Sequence, residues 1–153
     1  MKSYNYELDF SRIKDIRIKR NLSQKEIADY LNINQSTYSK FELNKATIPI
    51  ELLNKLSNYY NVSLDYLLKI TDNPDITIKN KEIDKKLVGE NLKKIRKDNK
   101  LYQETLAKEI GTSHSLISEY ESGKKLVSLT YGYAICMRYH ISLDVLYGKI
   151  KHL

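Results

Sequence analysis

The chain has 153 residues, with 26 Lys and Arg against 19 Asp and Glu, for a formal net charge of +7. This length fits one domain or two small ones, and 41% hydrophobic residues support a packed core rather than a disordered chain. No apolar run reaches the ~18 residues of a membrane span, and the first ten residues lack a secretory signal. We therefore expect a cytoplasmic protein without a membrane partner.

The chemistry-bearing residues are sparse. One cysteine excludes an internal disulfide, and three histidines do not suggest a multi-histidine metal site. The five glycines are too scattered for a phosphate-binding loop, and no sequence motif indicates a catalytic triad of Ser, His and Asp. Cys136 lies in an apolar stretch and is interpreted as a buried structural thiol. The sequence thus predicts neither an enzyme nor a bound cofactor.

The most informative feature is an internal repeat. Residues 13–69 align with residues 92–148 without a gap, and fifteen of these 57 pairs are identical. Twelve of the other 42 pairs are apolar in both copies, as at Ile27 with Leu106. The chain is therefore two copies of one unit of about 60 residues, a size that folds alone only marginally.

The first two helices of the first copy follow from spacing and capping. Ile13 and Ile16 have helical spacing in the first helix. The second helix opens with Ser23 and, three residues later, Glu26, which together predict a capping box. Ala28 fits the point at which the second and third helices come closest.

The last three helices have equally local signals. The third begins near Asn34, a good N-cap, and buries Tyr38 and Phe41. The fourth is predicted to start at Pro49, which suits a first helical position. The fifth is capped by Ser63. Each copy is therefore predicted to contain five short helices.

The second copy keeps this order but changes two caps. Its first helix is expected to resume near Ile83, Tyr102 replaces Ser23, and Ser128 replaces Pro49. The fold class is all-α, with two tandem five-helix domains joined by a short linker. We predict domain one at 1–71, the linker at 72–82 and domain two at 83–153.

Two positions alternate between asparagine and glycine in the copies. Asn32 aligns with Gly111, and Asn44 aligns with Gly123. These residue types best tolerate a left-handed backbone, and each position directly follows a predicted helix. Two helices across such a short turn predict a helix-turn-helix, whose second helix suits a DNA major groove.

The sequence resembles the Cro and lambda-repressor-like regulators, also called the XRE family. The resemblance rests on matching stretches in both copies: residues 16–17, 22–28, 38–42, 48–49 and 62–68, then 95–96, 101–107, 117–124 and 141–144. It implies a sequence-specific regulator, expected to be a repressor, with double-stranded DNA as its partner.

The resemblance also implies roles for individual residues. The glutamine that opens the second helix holds a phosphate and braces the third helix, the third helix reads bases, and the next loop approaches the DNA backbone. A structural salt bridge is implied between Arg17 and Glu42 and between Arg96 and Glu121. The implied contact positions are Gln24, Gln35, Ser36, Thr37, Ser39, Lys40, Asn44 and Lys45 in copy one, and Gln103, His114, Ser115, Leu116, Ser118, Glu119 and Lys124 in copy two.

The reading face of the second copy leaves two alternatives open. Glu119 either accepts a hydrogen bond from the N4 amino group of a cytosine or is repelled by the DNA phosphates. Leu116 suits contact either with the methyl group of a thymine or with a protein partner. The alternative function is therefore a protein-interaction module of the same fold, antitoxin-like or antirepressor-like. The lysines around the first helix of this copy are interpreted as a solvated face.

The sequence is compatible with two arrangements of the protein on DNA. A linker of about twelve residues spans up to ~40 Å, whereas half-sites one helical turn apart are separated by ~34 Å. One chain is thus long enough to act as a covalent pseudo-dimer, and a homodimer remains the other possibility.

Overall fold

The computed structural model describes residues 6–75 and 82–150, and within these residues it contains helices and no strands. The first five helices and the second five follow the same order. They are α1 (Ser11–Lys19), α2 (Gln24–Leu31), α3 (Gln35–Glu42), α4 (Ile50–Tyr60), α5 (Leu64–Leu67), α6 (Lys85–Asp98), α7 (Gln103–Ile110), α8 (His114–Glu121), α9 (Leu129–Tyr139) and α10 (Leu143–Leu146).

The chain divides into two compact units, the first of residues 7–79 and the second containing residues 80–153. The first unit holds α1–α5 and the second holds α6–α10, which confirms the predicted tandem all-α fold. The proposed domain limits of 1–71, 72–82 and 83–153 stay predictions. Linker residues 76–81 lie outside the described part of the chain.

Each unit closes around its own apolar core. In the first unit Ile13, Ile27 and Tyr38 are fully buried, which joins α1, α2 and α3. In the second unit Leu92 and Ile117 are fully buried at the corresponding places. Because the buried positions repeat with the sequence period, each copy buries its apolar face internally, as the repeat predicts.

The predicted caps are present, with one correction. Ser23 and Glu26 form the capping box, and the Ser63 side chain accepts a hydrogen bond from the Tyr66 N–H. Pro49, however, is not the first residue of α4. It is the N-cap, with ψ 144°, and its carbonyl accepts hydrogen bonds from Leu52 and Leu53. Proline fixes only φ, and a φ of −60° suits the capping conformation as well as the helix.

The changed caps of the second copy do not move its helices. Tyr102 is the N-cap of α7 without a side-chain hydrogen bond, and the helix still begins at Gln103. Ser128 caps α9 by accepting a hydrogen bond from Tyr131 N–H. The helix boundaries are therefore set by packing where the local cap is weak.

Candidate nucleic-acid interface

Each unit contains a helix-turn-helix with the predicted left-handed turn. Asn32 ends α2 at φ 57°, and Gly111 ends α7 at φ 80°. The next helix starts after a capping side chain, Asn34 before α3 and Ser113 before α8. Ala28 is buried beneath this turn, where its small side chain lets α2 and α3 approach. The turn therefore fixes the angle between the two helices in both copies.

The second helix of each motif is buried on one face and open on the other. In α3, Tyr38, Phe41 and Glu42 are buried, and in α8, Ile117 and Tyr120 are buried. The opposite faces hold the predicted base-reading residues. Gln35, Ser36, Lys40, His114, Ser115 and Ser118 are exposed, whereas Thr37, Ser39, Leu116 and Glu119 are partly buried. The structure thus brings these side chains together on one accessible rod in each unit.

A buried polar network holds α3 of the first unit in place. Arg17 donates to both carboxylate oxygens of Glu42, at 2.5 and 3.0 Å. The Tyr38 hydroxyl and the Gln24 side-chain amide donate to the same carboxylate, at 2.7 and 3.0 Å. Burial raises the pKa of Glu42, but these hydrogen bonds outweigh burial and leave the pKa below its ordinary value. The network confirms the Arg17–Glu42 pair and gives Gln24 a bracing contact to α3.

The second unit braces its helix differently. Arg96 donates to both oxygens of Glu121, at 2.8 and 2.9 Å, as predicted. Gln103 contacts no carboxylate on α8. Its Oε1 instead lies 2.9 Å from Nε2 of His114, at the start of the helix. The two glutamines therefore share a sequence position but engage opposite ends of the following helix.

Some predicted contact residues also have local structural roles. The Asn34 side chain accepts hydrogen bonds from the Thr37 N–H and from the Ser36 hydroxyl, at 2.8 and 2.9 Å. Asn44, in the loop after α3, accepts a hydrogen bond from the Phe10 N–H at 2.9 Å. Lys45 follows it and is exposed. The side chain of Asn44 is thus used to attach the segment before α1 to this loop.

The predicted reading face of the second unit carries an ion pair that the sequence does not reveal. Lys125 Nζ lies 2.8 Å from Oε2 of Glu119. A hydrogen bond from Lys125 lowers the pKa of Glu119, which remains an anion at neutral pH. In the first unit the same two positions are Lys40 and Ala46. Sequence spacing gives no signal for this pair, because Lys125 follows the helix and only the folded loop returns it to Glu119.

Two other kinds of site are not found in the described part of the chain. No group of three or more His, Cys, Asp or Glu side chains in residues 6–75 and 82–150 is placed to hold a metal ion. No described helix is both long and apolar enough to cross a bilayer.

Curated relatives match parts of the chain. A prophage-derived uncharacterized regulator of Bacillus subtilis, YonR, is 43% identical over 60 residues, which are 39% of this chain and 56% of the relative. The HTH-type transcriptional regulator ImmR of the same species is 46% identical over a region that is 37% of this chain and 45% of the relative. The antitoxin PezA of Streptococcus pneumoniae is 33% identical over 44% of this chain and 42% of the relative. The matched region is thus about half the length of these relatives.

A family model covers both copies of the repeat. The HTH_3 helix-turn-helix model matches residues 13–67 and residues 92–146. These ranges contain α2, α3, α7 and α8 and the left-handed turns between them. They account for most of the chain. The protein belongs to the HTH_3 helix-turn-helix family and carries two tandem copies of the family's domain.

Proposed function

We propose that this protein is a sequence-specific, double-stranded-DNA-binding transcription regulator. The observation that carries the proposal is the pair of helices with an exposed polar face, α3 and α8. Each is held against its unit by an arginine–glutamate pair, which is buried in the first unit and partly buried in the second. Such a helix suits the major groove in width and in hydrogen-bonding capacity. The net charge of +7 favours a polyanionic partner, and two of the relatives are named transcriptional regulators.

The residues would divide between phosphates and bases. Gln24 donates one amide hydrogen to Glu42 and has a second one to offer a phosphate. Lys45 and Lys124 are exposed in the loops after the reading helices and would contact phosphates as well. Gln35 and Ser36 lie in the first turn of α3, from which base edges are read most directly. We propose repression of transcription in the cytoplasm as the cellular role.

Substitutions in the first unit test the proposal. Gln35→Ala should relax preference at one base position by about 1–3 kcal/mol, because a bidentate contact to one base is lost. Duplexes selected from a random pool by each protein would show this change. Lys45→Gln is the matched comparison: it should weaken binding equally on all sequences. An unchanged selected motif for Gln35→Ala would contradict the assignment of α3 as the reader.

A protein-interaction module is the second candidate. Its basis is Leu116 and the Glu119–Lys125 ion pair on α8, together with the relative that is named an antitoxin. Titration with random duplex at two salt concentrations separates the candidates, because phosphate-led binding falls steeply with salt. Absence of binding even at about 50 mM salt would favour the interaction module.

A further inference from the structure

The first turn of α6 lies against the loop that follows α8. Gly123 has φ 78°, and a Cβ added there would lie 3.0 Å from the Lys86 Cα. Lys124 and Lys125 follow directly in the chain. All three lysine side chains are exposed. This contact gathers Lys86, Lys124 and Lys125, hereafter the lysine cluster, beside the end of the candidate reading helix.

The first unit has no equivalent cluster. The corresponding residues are Glu7, Lys45 and Ala46, so one cation and one anion replace three cations. Of the three cations, Lys125 is paired with Glu119, and the other two form no ion pair with any residue that the structure describes. The two units differ here in the length of their first helix as well as in the residue types. The helix α6 has 14 residues and α1 has 9, and α6 begins at a position equivalent to Tyr6, five residues before the position of Ser11. The longer helix brings Lys86 to the loop.

The candidate reading faces of α3 and α8 also differ, and here it is the first unit that is better suited to DNA. In the second unit Glu119 carries a negative charge held by Lys125, and His114 is engaged by Gln103. An anion on this face opposes the approach of phosphates unless a base amino group lies opposite. In the first unit Gln35 and Lys40 are exposed on α3, and neither carries a negative charge. The unit with more cations beside its helix therefore has the poorer reading face.

We infer that the two units divide the work of DNA binding: the second unit grips the phosphate backbone through the lysine cluster whatever the sequence, and the first unit selects the bases. This inference rests on the proposed function, because it assumes that the chain binds duplex DNA. It explains why the charge excess and the more suitable reading face occur in different copies. In residues 80–153 there are 14 basic and 9 acidic side chains, against 12 and 10 in residues 1–79.

The first experiment removes two charges from the cluster. Lys86→Gln with Lys124→Gln should lower the salt dependence of binding by about 1.8 in slope, since each phosphate contact contributes about 0.9. The loss should be equal on selected and random duplexes. Lys125 is retained because its removal would leave Glu119 without its ion pair. Lys93→Gln with Lys97→Gln removes the same charge from exposed positions farther along α6 and should leave the slope unchanged.

The second experiment compares selected motifs. His114→Ala should enrich the same motif as the unaltered protein, whereas Gln35→Ala should change it. Circular dichroism would verify that each variant is folded. Equal slopes for the two double variants, or a motif altered by His114→Ala, would overturn the inference while leaving DNA binding intact. Failure of the unaltered protein to bind any duplex at about 50 mM salt would overturn the proposed function itself.

Discussion

Glu42 shows how one buried residue connects the fold to the candidate interface. Its carboxylate accepts hydrogen bonds from Arg17 on α1, Gln24 at the start of α2 and Tyr38 on α3. A buried carboxylate is costly unless it is paired and hydrogen-bonded. With this many donors the charge is compensated, and the network positions α3 relative to α1 and α2.

We expect Glu42→Gln to lower the free energy of unfolding by about 3 kcal/mol, because Arg17 is left buried without its counter-charge. Urea unfolding followed by circular dichroism measures the loss. Glu121→Gln is the matched change in the second unit, where Ile117 replaces Tyr38 and Gln103 bonds elsewhere. Its loss should be smaller, and equal losses for both variants would contradict the importance of the additional donors.

The buried side chain of Lys149 leads us to expect that the free energy of unfolding depends on pH. It is fully buried, and burial lowers its pKa from 10.5 to about 8, although Asp144 acts in the opposite direction. The unfolded chain therefore binds more protons than the folded chain between these values, and stability rises with pH. The free energy of unfolding should increase by about 2 kcal/mol from pH 7 to pH 9.5. Lys149→Ile, which introduces the residue type found at the equivalent Ile70 of the first copy, should remove this rise. A similar rise in that variant would contradict the assignment.

At the scale of elements, a glycine determines how α6 meets α8. A Cβ on Gly89 would lie 2.3 Å from the Tyr120 carbonyl oxygen and 2.9 Å from that of Glu121. Backbone atoms of a helix end do not move aside cheaply. The close approach of α6 to α8 therefore depends on glycine at this position, and so does the placement of Lys86 beside the Gly123 loop.

Gly89→Ala should destabilise the second unit by about 2 kcal/mol or more through overpacking, despite the better helix propensity of alanine. Gly111→Ala is the comparison: a Cβ there meets open space, so only the left-handed backbone is strained, at about 1–2 kcal/mol. Thermal unfolding measures both. A smaller loss for Gly89→Ala than for Gly111→Ala would show that α6 adjusts to the larger side chain.

At the scale of the whole molecule, the tandem arrangement makes a prediction about stoichiometry. If one chain acts as a covalent pseudo-dimer, with both of its units on the same duplex, each selected duplex should bind one chain. Sedimentation or native mass spectrometry of the complex gives the ratio directly. Two chains on each selected duplex would instead support a homodimer.

Local sequence signals predicted much of this architecture. The capping box at Ser23 and the left-handed turns at Asn32 and Gly111 each depend on residues close in sequence, and all correspond to observed features. The accessible face of α3 also followed from the spacing of Tyr38 and Phe41. Short-range capping and periodic burial are physical effects that act within one or two helical turns, so the sequence displays them directly.

The charge arrangement around the interface was decided only by tertiary structure. The sequence placed Lys86 on a solvated helix and did not relate Lys125 to Glu119, because neither contact follows from helical spacing. Packing at Gly89 and the turn at Gly123 bring these residues together. Likewise, the two glutamines that open α2 and α7 are identical in sequence but bond to different partners. Electrostatic contacts that lie beyond helical spacing depend on how the loops and elements fold, and this information exists only once the chain has folded.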